Sequence, residues 1–91
     1  MPNREPAPAG TLAAQAWQAW ARGRVAAAHA LARAAQAAVR HSSRRERQQV
    51  QVVALAVTGD LDRASGLASE HLAEFPGDEL VAQVQRWTAG R

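Results

Sequence analysis

Glu70 and Glu74 stand one helical turn apart. At that spacing two carboxylates share a surface, and one can take a proton while the other gives it. Acid–base work also needs a walled site, and these two fall opposite an apolar stripe, so they read as a charged exterior. His29, His41 and His71 have neither the i, i+4 pairing nor the partner carboxylates of a metal site. They read as a surface, a turn and a core residue. Ser42 and Ser43 lack the glycines of a nucleophile elbow, and no glycine-rich loop is present to cradle phosphate. Without cysteine there is no thiol catalysis, disulfide or thiolate metal site. The chain therefore carries no catalytic constellation and calls for no cofactor or metal, and the expectation is that it is not an enzyme.

What remains is the chemistry of contact. All eleven basic residues are arginines. Residues 1–47 hold eight of them against two carboxylates, and residues 48–91 hold three against six. A guanidinium grips phosphate or carboxylate with two parallel hydrogen bonds, so Arg44, Arg45 and Arg47 are candidates to pair with acidic groups on a partner protein. A rival reading takes Arg22, Arg24, Arg33, Arg40, Arg44, Arg45 and Arg47 as a nucleic-acid surface, and predicts binding that falls steeply with salt. Trp17 and Trp20, three apart, share a helix face with each other, and Trp87 stands near the end of the chain.

The elements that would position these groups are helices. Twenty-three of the 91 residues are alanine, which favours helix but hides little apolar area per residue, so close helix packing must compensate. Residues 1–10, with Pro2, Pro6 and Pro8, read as a flexible arm. Thr11 is placed as the N-cap of a helix over 12–22, ended by Gly23, and a second helix runs over 25–40. Ser43 and Glu46 have the spacing of a capping box for the third, which is apolar nearly all round from Val50 to Val57. Gly59 ends that helix and Asp60 caps the fourth, where Gly66 suggests a close backbone approach. Pro76 and Gly77 stop the fourth, and Asp78 caps a fifth carrying Leu80, Val81, Val84 and Trp87. No run approaches a membrane span or a secretory signal, so a cytoplasmic location without membrane contact is expected.

A shift of 36 residues superposes Gly23 on Gly59, Ala28 on Ala64, Leu31 on Leu67 and Ala32 on Ala68; a shift of 67 superposes Trp20 on Trp87. These intervals are close to the roughly 34 residues of a tetratricopeptide (TPR) helix pair. Gly59, Asp60, Ala64 and Pro76 stand as in the second helix of such a pair. The wording GDLDRA and EHLAEFPGDEL resembles the bacterial relatives of tetratricopeptide repeat protein 38, of which the chain matches an N-terminal portion. The resemblance implies an all-α fold of five antiparallel helices stacked as TPR-like hairpins: 11–43, 44–77 and a half repeat or capping helix over 78–91, in a short right-handed solenoid. It implies further that first helices line a concave face formed by Trp17, Trp20, Gln49, Val53, Ala56, Val57, Val84 and Trp87. Ala56 would then sit between two large rings and leave an apolar slot for a peptide or protein partner. The functional expectation is a non-enzymatic interaction scaffold that also self-associates as a homodimer. Arginine-mediated nucleic-acid binding and a purely structural oligomerisation unit stand as alternatives.

Overall fold

The computed structural model describes residues 8–90, and they form five helices with no strand among them: α1 (Ala9–Ala21), α2 (Val25–Ala38), α3 (Arg44–Val57), α4 (Leu61–Glu74) and α5 (Glu79–Ala89). A short 3-10 turn, Val39–His41, finishes α2, so the regular helix stops two residues before the sequence would end it. Helix α1 starts earlier than its apolar pattern announces. Pro8 takes the N-cap position, a place that suits a residue with no amide to satisfy, and Thr11 lies inside the helix. Ala9 and Gly10 therefore belong to α1 rather than to the arm; residues 1–7 of that arm lie outside the described residues.

Glycine 23 and glycine 59 do the same work 36 residues apart. Both adopt positive φ, 76° and 89°, which lets the chain turn back without a Cβ clash. At the first, the Gly23 amide donates to the Trp20 carbonyl and the Arg24 amide to the Ala19 carbonyl, at 3.0 and 2.9 Å; at the second, Gly59 donates to Ala56 and Asp60 to Leu55, at 3.1 and 2.9 Å. Each pair of bonds is a Schellman closure.

Helix α3 touches all four of the others, while α1 packs on α2 and α4 on α5. Its sequence explains why. Val50, Val52, Val53, Ala54, Ala56 and Val57 are all buried and only Gln51 of that stretch is exposed, so the helix needs neighbours on every side. Eleven of the eighteen buried apolar residues among those described are alanines, which lets backbones approach closely but leaves each contact with little area. Gly66 does not serve such an approach: it is exposed, and the space its missing Cβ would fill is empty.

Capping differs from the sequence expectation at two further helices. Ser43 accepts the Glu46 amide at 3.2 Å, as expected, yet the Glu46 carboxylate reaches across to the Gly10 amide at 3.1 Å and caps α1 instead of closing the box on Ser43. Asp60 occupies the N-cap position of α4 without its side chain bonding the helix amides; the carboxylate lies 3.4 Å from Arg63. Among the described residues, no helix is long and apolar enough to cross a membrane.

Candidate functional site

Three indoles meet at one end of the helix stack. Trp17 and Trp20 project from the last two turns of α1, and Trp87 from the last turn of α5. Trp87 meets both edge-on, with ring centroids 5.6 and 5.8 Å away and interplanar angles of 81° and 85°. Edge-to-face contact sets the positive rim of one ring against the negative face of another. The rings line an open cleft of about 390 Å³ together with Ala21, Gly23 and Val25. Trp17 is nearly covered at 7% exposure, Trp20 and Trp87 are half-buried, and Val25 stands 46% exposed. Among the described residues, no charged side chain lines the cleft.

The predicted concave set divides into three groups. The tryptophans form the cleft. Val53, Ala56, Val57 and Val84 lie in the core at 0–1% exposure, so the single chain does not present them: α3 is enclosed by its four neighbours, and a repeat position cannot register that. Trp20 and Trp87 touch directly, so no slot separates them above Ala56. Gln49 belongs to the opposite end of the stack, where its Nε2 donates to Asp78 Oδ2 at 2.8 Å.

That opposite end holds a buried polar network. His71 of α4 and Asp78 at the start of α5 are each 1% exposed. The His71 ring places Nε2 2.6 Å from Asp78 Oδ2 and Nδ1 2.6 Å from Gln48 Oε1. Asp78 Oδ2 also takes Arg45 Nε at 3.3 Å, and Oδ1 caps α5 by accepting the Val81 amide at 3.3 Å. Burial pushes the Asp78 carboxyl up, but the hydrogen bonds from His71, Gln49, Val81 and Arg45 outweigh it and hold the group below its ordinary value. His71 lies in the core and Asp78 caps α5, as their positions in the sequence suggest, but the hydrogen bond between them is not visible in the spacing. The two are seven residues apart across a turn, and only the packing of α4 and α5 on α3 brings them together. Both ring nitrogens are engaged and the side chain is covered, so the pair ties helices together and offers no base to a substrate.

The arginines singled out on α3 are engaged within the chain. Arg44 pairs with Glu74 at 3.0 Å, Arg45 with Asp78, and Arg47 donates to the Ser42 carbonyl at 2.7 Å. For Arg44 and Arg45, a place at a helix N-terminus that is unfavourable to the dipole is offset by the carboxylates they reach, Glu74 of α4 and Asp78 at the start of α5. Glu74 of the Glu70/Glu74 pair is one of those. His29, read as a surface residue, is half-buried, with Nε2 2.7 Å from the Val57 carbonyl at the end of α3. No group of three or more potential metal ligands occurs among the described residues. No protein-family profile matches the chain, and neither a curated protein nor a solved structure shows significant similarity to it.

Proposed function

We propose that this chain is a TPR-like helical module that binds a protein or peptide segment at the tryptophan cleft and performs no catalysis. The hairpin arrangement is supported by the paired Schellman closures 36 residues apart. It is supported too by the way α1 and α5 meet α3. The first turns of α1 and α5 both bond the first turns of α3, through Gly10–Glu46 and through Asp78–Arg45 and Asp78–Gln49, while their last turns meet each other through the indoles. Helices α1, α3 and α5 then run one way, and α2 and α4 return between them.

The observation that carries the binding reading is the half-open cleft itself: two partly exposed indoles and Val25 around about 390 Å³ of space. That volume falls at the lower end of the ~300–1,000 Å³ typical of ligand clefts, and tryptophan is the side chain most enriched at energetic hot spots of interfaces. Self-association, in this reading, draws on the same apolar surface.

Selection of a random-peptide display library on the immobilised chain tests the reading. Peptides that bind the wild type should lose binding to Trp20→Ser, a variant whose helical circular dichroism should match the parent. Recovery of peptides indifferent to that substitution would refute it.

A further inference from the structure

Resting on that reading, we infer that the cleft takes a segment whose apolar anchor is flanked by carboxylates. The chain alternates there: Ala21, Gly23 and Val25 line the cleft, and Arg22 and Arg24 stand between them, both exposed. Neither has an ion-pair partner among the described residues, in contrast to Arg44, Arg45, Arg63 and Arg86. Every charged residue adjacent in sequence to a lining residue is an arginine: Arg22, Arg24 and Arg86. Arg86 is taken by Glu79 at 3.2 Å, which leaves Arg22 and Arg24 as the free cations of the rim among the described residues.

One effect opposes this assignment. The C-terminal ends of α1 and α5 lie at the cleft, each carrying roughly half a negative charge. At α1 the Schellman bonds occupy the Ala19 and Trp20 carbonyls, and two full positive charges within a residue of the same turn outweigh the remainder. An apolar floor with a cationic rim thus selects acidic, anchored segments over neutral ones.

The probe is a tryptophan-free synthetic peptide with two leucines flanked by glutamates, titrated against the full chain with tryptophan emission as readout. Matched peptides carry glutamine or lysine flanks, or serine in place of leucine. Two exposed pairs give a preference of about fivefold for glutamate over glutamine flanks at low salt. The preference shrinks as ionic strength rises. The double variant Arg22→Gln/Arg24→Gln should bind both peptides alike, with its emission response intact.

Equal affinity of wild type for glutamate and glutamine peptides overturns the inference and leaves the cleft standing. No emission change with any leucine peptide removes the cleft reading beneath it. A single-stranded oligonucleotide that binds at low salt, depends on Arg22 and Arg24, and displaces the glutamate peptide would make nucleic acid the ligand and overturn the assignment. Sedimentation showing self-association that depends on Trp20 and resists the glutamate peptide would do the same in favour of a second copy.

Discussion

Asp78 joins two functions in one carboxylate, and substitutions can pull them apart. Its Oδ1 caps α5, and its Oδ2 gathers His71, Gln49 and Arg45. Asp78→Ala deletes both. Losing a cap costs about 1 kcal/mol, whereas leaving a buried polar group without its hydrogen-bond partner costs about 1–3 kcal/mol, and here His71, Gln49 and Arg45 all lose the same acceptor. The second figure should dominate, out of a total stability of roughly 5–10 kcal/mol for a domain of this size. Asp78→Asn keeps the cap oxygen and fills the same space, but sets an amide where Oδ2 met His71, Gln49 and Arg45; the charge and that acceptor are lost while the packing is kept, a cost of about 1–2 kcal/mol. Urea unfolding followed by circular dichroism measures both. A further check lies in acid. The folded carboxyl sits below its ordinary value of 3.8, so the unfolded chain takes up more protons as pH falls. The Asp78 contribution is therefore whole above that value and drains away as pH drops through the folded one. The stability gap between wild type and Asp78→Asn should narrow over the same interval. An Asp78→Ala loss within about 1 kcal/mol, no more than a missing cap, would refute the network argument.

Other substitutions probe separate features. Gly66→Ala should stabilise by about 0.5–1 kcal/mol in the same unfolding assay, because α4 gains helix propensity at a site with open space. Gly23→Ala and Gly59→Ala should each cost about 1–2 kcal/mol, all of it from backbone strain at positive φ, since nothing crowds the added methyl. His29→Ala should cost about 1 kcal/mol through the lost bond to the Val57 carbonyl. Trp87→Phe should abolish the exciton couplet that two edge-on indole pairs impose on the circular dichroism spectrum.

The helices were legible because their punctuation is local. Gly23, Gly59, Ser43 and Asp78 each act within a few residues of themselves, and the third helix announced its enclosure by being apolar on every side. What sequence could not supply was the destination of long polar side chains. Glu46 had the spacing to close a box with Ser43 and instead reached 36 residues back to Gly10. Arg45 and Gln49 looked like partner-facing groups and proved to be held by Asp78. The tryptophans show both sides of this. Spacing placed Trp17 and Trp20 on one face, and the repeat interval linked Trp20 with Trp87; that the rings would touch depends on how closely α1 and α5 flank α3.

The alanine-rich interior sets the direction in which this protein can be damaged. A core of leucines fails by being hollowed out, because most replacements are smaller. Here most replacements at Ala13, Ala16, Ala28, Ala35, Ala56, Ala64 and Ala68, all fully enclosed, are larger, and one extra methylene in a tight seam forces backbones apart. Replacements that keep such a seam closed are confined to glycine and serine, while the half-open tryptophan end has room for side chains of other sizes.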